Sequence, residues 1–201
     1  MDRIIMDKSF RFIAGVDEAG RGPLAGPVFA AAVILNPTHN ILELTDSKLL
    51  TEKKREKLFT EITEKCISYS VAFSSVAEID EMNILQASLL AMRRAVAQLT
   101  VVPHEVWVDG NQNPRCPYPT KLIIQGDFLI PVISAASIIA KVTRDRLMKK
   151  LDVQFPGYGF AKHKGYGTRE HLAALKKRGA TSIHRCSFAP VREVVALTGN
   201  D

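Results

Sequence analysis

With 201 residues, 46% of them hydrophobic and 24% charged, the chain has the makeup of a soluble globular protein with a core of its own, not a disordered tail. No apolar stretch reaches the roughly 20 residues of a membrane-spanning helix, the opening MDRIIMDKSF lacks the apolar segment of a secretory signal, and Cys66, Cys116 and Cys186 are too scattered for a disulfide frame or a zinc site. A cytoplasmic chain with reduced thiols is expected, no membrane contact is expected, and a net charge of +6 with a pI near 9.3 favours a polyanionic partner.

Residues 12–16 read as an apolar strand that delivers two adjacent carboxylates, Asp17 and Glu18, into the turn Ala19-Gly20-Arg21-Gly22. Oxygen ligands held at a strand end suit a hard cation such as Mg²⁺. Gly20 and Gly22 carry no Cβ to keep a ligand off the backbone, and the permanent charge of Arg21 suits a phosphate oxygen. The plain alternative is a tight turn flanked by two solvated acids. A second strand, residues 28–35, follows and is almost wholly apolar, hence central. The acidic pair therefore sits where strands end.

A turn at Asp46-Ser47-Lys48 leads into a helix over 51–66 with Thr51 as its cap. Residues 69–73 form a third strand, and 83–99 a helix whose Leu85, Leu89, Met92, Val96 and Leu99 recur at helical spacing and belong to the core. Short strands over 105–108 and 121–124 end in Asp109-Gly110 and Gly126-Asp127, with Trp107 most simply in the core. Pro131 opens a long helix to about 152, with Ser134, Ser137, Lys141 and Arg144 along its polar flank. A loop rich in glycine and aromatics (155–167), a helix over 168–177 and a short helix over 191–197 complete the chain. No repeat or linker divides it, so one domain over 1–201 is expected.

Strands alternating with helices predict an α/β domain with a mixed central β-sheet flanked by helices and a helical C-terminal region. Asp17-Glu18, Asp109 and Asp127 fall at three strand ends, outside which ligands collect in such sheets. Four converging carboxylates repel one another unless a cation joins them, and two divalent ions about 3.5–4 Å apart are the usual arrangement for phosphodiester cleavage. Each acid has a simpler reading. Asp109-Gly110 could turn a hairpin, although Asn111-Gln112-Asn113-Pro114 does not read as a returning strand, and Asp127 could cap the next helix. The stripe Lys162, Lys164, Arg169, Lys176, Lys177, Arg178 and Arg185, against the single acid Glu170, suits a nucleic-acid surface or merely a solvated helix face.

The order and wording of these motifs resemble bacterial type 2 ribonuclease H (ribonuclease HII) from about residue 12 to about residue 189. The resemblance rests on Ile13-Ala14-Gly15-Val16 with the Asp17–Gly22 block, Asp46-Ser47-Lys48, Val108-Asp109-Gly110, Gly126-Asp127, the run SAASIIAKVTRD from Ser134, and His163-Lys164-Gly165-Tyr166-Gly167. It implies an RNase H-like fold, endonucleolytic cleavage of the RNA strand in RNA/DNA hybrids, and incision at single ribonucleotides embedded in duplex DNA. It also implies Mg²⁺ or Mn²⁺, two ions per site, held by Asp17, Glu18, Asp109 and Asp127, with 3′-hydroxyl and 5′-phosphate products. By the same resemblance Gly20, Arg21 and Gly22 sense the ribose 2′-hydroxyl, and Tyr166 packs on the adjoining deoxyribose.

Lys48, Ser134, Ser137, Lys141, Arg144 and the Lys162–Lys164 segment are candidates for backbone phosphates, which position a duplex without reading its sequence. For Ser134 and Ser137, packing of the helix near the site is an equal alternative, and His163 is a phosphate neighbour rather than a metal ligand. The C-terminal region from about 155 would contribute to substrate binding, and a monomer is the default. A non-catalytic binding module would lack one of the four acids. An enzyme of small phosphorylated substrates would favour a Gly-x-x-x-x-Gly-Lys-Ser/Thr loop. Neither pattern is present in the sequence.

Overall fold

A computed structural model of the protein describes residues 11–198; the opening segment that bears on export (1–10) and residues 199–201 lie outside it. Five strands form one mixed sheet in the order β3-β2-β1-β4-β5. Strand β1 (Ile13–Ala19) pairs antiparallel with β2 (Val28–Ile34), and β2 antiparallel with β3 (Ser68–Ser74). Strands β4 (Glu105–Asp109) and β5 (Thr120–Ile123) run parallel to β1. Because β4 and β5 are parallel, Asp109-Gly110 is not a hairpin turn.

All seven residues of β2 are buried, which explains its unbroken apolar run. Alternation sends Ala30, Ala32 and Ile34 to one face, against Leu89, Met92 and Val96 of helix α3 (Ile84–Ala97). Ala31 and Val33 go to the other, against Leu58 and Ile62 of α1 (Glu52–Lys65) and Ala135, Ile138 and Ile139 of α5 (Pro131–Gln154). On β1 a Cβ at Gly15 would fall 2.2 Å from the Val132 carbonyl oxygen. Only a hydrogen fits there, and this lets the first turn of α5 rest directly on the strand.

Several boundaries differ from the sequence reading, each for a local reason. Strand β1 continues through the acids, because pairing of Asp17 with Ala31 and of Glu18 with Ala30 sustains it where apolarity has ended. On its other side the ladder to β4 stops at Val16 and Val108. The two strands part where the acids stand, and the site opens between them. A helix absent from the sequence reading, α2 (Val76–Met82), starts at a capping box in which Ser75 and Glu78 satisfy each other's backbone amides. Asp127 lies neither on a strand end nor at a cap but in the first turn of a short helix, α4 (Gly126–Leu129).

The loop after α5 contains a further turn of helix, α6 (Phe160–His163), before α7 (Arg169–Arg178) and α8 (Ala189–Thr198). Trp107 is half-buried rather than in the core: its indole donates to Glu105 at 3.1 Å, and the Lys121 ammonium lies over its ring. Among the described residues no helix is long and apolar enough to cross a membrane.

Candidate active site

The parting of β1 and β4 leaves a cleft of about 160 Å³ whose lining includes Asp17, Glu18, Asp109, Lys48, Ser137 and Tyr166. Asp17, on β1, is buried; its Oδ1 accepts the Glu18 amide at 2.7 Å, and the Ser137 hydroxyl of α5, in the same cleft, favours its charged form. The Ser137 hydroxyl lies 3.0 Å from that of Ser47. Ser47 opens a single 3-10 turn (Ser47–Leu49), which Asp46 caps by accepting the Lys48 amide at 2.8 Å. Asp109 ends β4, and its Oδ1 accepts the Asp127 amide at 3.3 Å. The structure thus joins Asp17, Glu18 and Asp109 in one cleft and ties Asp127 to Asp109 at its margin. The buried Ser134 hydroxyl donates to the Asp127 carbonyl at 2.6 Å, so it fixes the backbone of α4 and does not face a substrate.

Burial, reinforced by the charges of Glu18 and Asp109, holds the Asp17 carboxyl well above its ordinary pKa. Burial also raises Glu18, against the opposing pull of Arg21 at 3.4 Å, and it raises Asp127 with the help of Asp109. Partial desolvation disfavours the largely exposed Lys48 ammonium, yet Asp46, Asp127 and Asp17 around it keep its pKa above the usual value. It stands 3.5 Å from Asp127 and 3.8 Å from Asp46. Among the described residues no three His, Cys, Asp or Glu side chains are gathered into a metal-holding group, so the acidic set is open. Its chemistry is nonetheless that of a hard-cation site: oxygen donors only, mutually repelling, with an ammonium in their midst. Asp17, Glu18, Asp109 and Asp127 fit divalent ions on those grounds.

Two buried arginines clamp the turn after β1, so neither is the phosphate contact or the surface cation expected from the sequence. Arg185 is fully buried and donates to the carbonyls of Gly20 (2.6 Å), Arg21 (2.8 Å) and Gly26 (2.8 and 2.9 Å). Arg144 donates to those of Ala25, Pro27 and Lys164 at 3.0–3.1 Å. Burial lowers Arg144 to about 10 and Arg185, beside it, to about 9, so both stay charged near neutrality. A trans peptide points its N–H opposite its C=O. With the Gly20 and Arg21 carbonyls turned onto Arg185, the amides of Arg21 and Gly22 point away from the guanidinium. Gly20, at φ +100°, would put a Cβ 2.0 Å from Arg144 Nε and is required for this packing. Gly22 leaves its Cβ position 3.5 Å from the Tyr166 ring, which is exposed.

Beneath Tyr166 lies a histidine relay whose members stand 13 residues apart in the chain and leave no local mark. Carbonyls only accept, so His171 donates from Nδ1 to the Tyr166 carbonyl at 2.9 Å. Its Nε2 then accepts from His184 Nε2 at 3.1 Å, and His184 Nδ1 accepts the Thr181 amide at 2.9 Å. Both rings are neutral in this arrangement. Burial lowers His171, and burial together with His171 lowers His184 to about 4. The unfolded chain therefore binds these protons more readily, and the stability the relay contributes is complete above about pH 6.5 and lost as pH falls towards about 4. A loss on the order of 1–3 kcal/mol across that window is expected in denaturant titrations. An equally steep slope in His184→Ala would remove the relay as its source.

Other expected phosphate contacts are placed differently. His163 is buried, with Nε2 bonded to the Tyr158 carbonyl at 2.7 Å, so it is no phosphate neighbour. Lys164 is buried and its ammonium donates to the Ala161 carbonyl. Lys141 lines the cleft but pairs with Asp145 at 2.7 Å, and burial lowers its pKa. Lys162 is exposed and paired with Glu170 at 2.6 Å. Arg169, Lys176, Lys177 and Arg178 face solvent as expected.

The family model described as Ribonuclease HII matches residues 14–191. The chain is 58% identical over 182 residues to a ribonuclease HII of Coxiella burnetii, covering 90% of each chain. It is 57% identical over 187 residues to that of Nitrosospira multiformis, covering 93% of this chain and 94% of the relative. The crystal structure of ribonuclease H2 from Pyrococcus horikoshii OT3 superposes with a TM-score of 0.77 at 30% identity, covering 94% of this chain and 99% of that one. On the strength of the matched residues and of the site they build, the chain belongs to the ribonuclease HII family of nucleases.

Proposed function

We propose that this enzyme cleaves the RNA strand of RNA/DNA hybrids and nicks duplex DNA on the 5′ side of a single embedded ribonucleotide, leaving 3′-hydroxyl and 5′-phosphate ends. One juxtaposition carries the reading: the carboxylates Asp17, Glu18 and Asp109 share a cleft with the backbone of Gly20–Gly22 and with the Tyr166 ring. Asp17, Glu18, Asp109 and Asp127 hold Mg²⁺ or Mn²⁺, two ions per site. When bound, such ions lower the pKa of a water and neutralise charge at a leaving oxygen. Ser137, backed by Ser47, orients the Asp17 carboxylate, and Ser134 fixes the turn that carries Asp127.

Substrate discrimination falls to the clamped turn. The amides of Arg21 and Gly22, set by Arg185, offer donors to a ribose 2′-hydroxyl, the group that separates RNA from DNA. Lys48, three-quarters exposed, can exchange its carboxylate partners for a phosphate oxygen. The protein acts as a single-domain, cytoplasmic monomer, and the region from about 155 brings Tyr166 and the exposed cations of α7 to the duplex.

The test is a labelled duplex containing one ribonucleotide, incubated with Mg²⁺, Mn²⁺ or a chelator beside an all-DNA control. A metal-dependent nick 5′ of the ribonucleotide, absent from the control, is expected; binding without a nick in any metal would favour a non-catalytic module. Tyr166→Ala is expected to slow that nick about tenfold, a loss near 1.4 kcal/mol, and to affect continuous RNA in a hybrid less. Equal losses on both substrates would count against a junction-reading ring.

A further inference from the structure

A second notch, of about 60 Å³, opens from the same carboxylates on the α3 side of the sheet and takes no part in the chemistry above. It shares Glu18, Arg21 and Asp109 with the cleft, so the two are continuous across the acidic set. Its floor is apolar, made by Leu85, Leu89 and Met92 of α3. Its rim is formed by the exposed amide side chains of Asn111 and Gln112, which follow directly on β4. Gln112 Nε2 donates to Asn111 Oδ1 at 3.2 Å, which leaves further donors and acceptors on both groups.

We propose that this notch receives the sugar of the nucleotide on the 5′ side of the cleaved bond, the one that departs with the 3′-hydroxyl. The proposal rests on the nuclease reading above and assigns the half of the substrate which that reading leaves without a seat. A phosphodiester held at the carboxylates has a nucleotide on each side. Gly20, Gly22 and Tyr166 line only the cleft, on one side, with Arg21 common to both, so the strand leaving past Glu18 and Asp109 runs into the notch. Its volume of about 60 Å³ is far below the roughly 300–1,000 Å³ of a whole-ligand pocket, so it receives one ring of a nucleotide and not the whole of it. An apolar floor suits the carbon face of that ring. Neutral amides at the rim suit its oxygens without competing for a cation. Holding the leaving sugar would align the departing oxygen with the attacking water, a positioning role whose loss is felt in rate.

The experiment compares the single-ribonucleotide duplex with one in which the nucleoside 5′ of the cleaved bond is replaced by a three-carbon spacer, for the wild type and for the double variant Asn111→Ala, Gln112→Ala. The spacer is expected to lower wild-type kcat/KM about tenfold. The variant is expected to lose about tenfold on the intact duplex and little more with the spacer, at an unchanged melting temperature, since both residues are exposed. A variant that suffers the spacer's full loss again, or a wild type indifferent to the spacer, would overturn the proposal. A wild type that nicks neither duplex in any metal would instead sink the nuclease reading, and the proposal with it.

Discussion

Asp17→Asn is expected to lower cleavage by about 10³-fold or more, some 4 kcal/mol of transition-state stabilisation, and at the same time to make the metal-free protein more stable. Both effects follow from the same crowding. Asp17 is buried beside Glu18 and Asp109, and its folded pKa lies above the unfolded value. The folded state therefore holds its proton more tightly, so without a cation stability falls as pH rises from the unfolded pKa through the folded one. Asn keeps the shape and removes the charge. A gain on the order of 1–3 kcal/mol is expected at about pH 8 in the presence of a chelator, shrinking towards about pH 4. Denaturant titrations with and without Mg²⁺, run beside cleavage assays, read both halves. Wild-type cleavage by the variant would remove Asp17 from the metal centre; a variant less stable than the wild type at every pH would refute the electrostatic account.

The second large effect is expected at Arg185, which no proposed chemical step touches. Arg185→Met keeps much of the volume but leaves the buried carbonyls of Gly20 and Gly26, and the part-buried one of Arg21, without their donors. Unsatisfied buried acceptors cost about 1–3 kcal/mol each, so a loss on the order of 3–5 kcal/mol is expected, a large share of a typical folding free energy. In conditions where the variant still folds, KM for the embedded ribonucleotide should rise about tenfold or more, because the Arg21 and Gly22 amides lose their fixed direction. Lysine is not a conservative replacement here, since one ammonium cannot span three carbonyls as a guanidinium does. A variant as stable as the wild type would show that the carbonyls find other donors.

The sequence carried the strands, the long helices and the acidic positions because each leaves a local mark: the apolar run of β2, the Thr51 cap of α1, and Pro131 at the start of α5. The Ser75-x-x-Glu78 capping box of α2 was equally local and was open to reading. The roles of Arg144 and Arg185 were not. Their partners lie between 20 and 165 residues away in the chain, and a buried guanidinium has the same spelling as a solvated one. The same holds for Ser134, whose hydroxyl meets the carbonyl of Asp127 only because α4 and α5 adjoin, and for the two rings of the histidine relay. Composition counted Arg185 and Lys164 towards a basic surface, whereas folding turned both inward.

The bare contact at Gly15 also bears on how this protein can vary. The wall that seats α5 on β1 is the wall that aims Ser137 at Asp17 two residues further along the strand. Drift in that part of the interior is therefore policed twice, once by packing and once by chemistry. A substitution there can be absorbed by a small shift of the helix, with the fold intact and the carboxylate no longer aimed. Libraries sorted for solubility or melting temperature would pass such variants as neutral, and only a turnover assay would reveal that the interior had been part of the reaction.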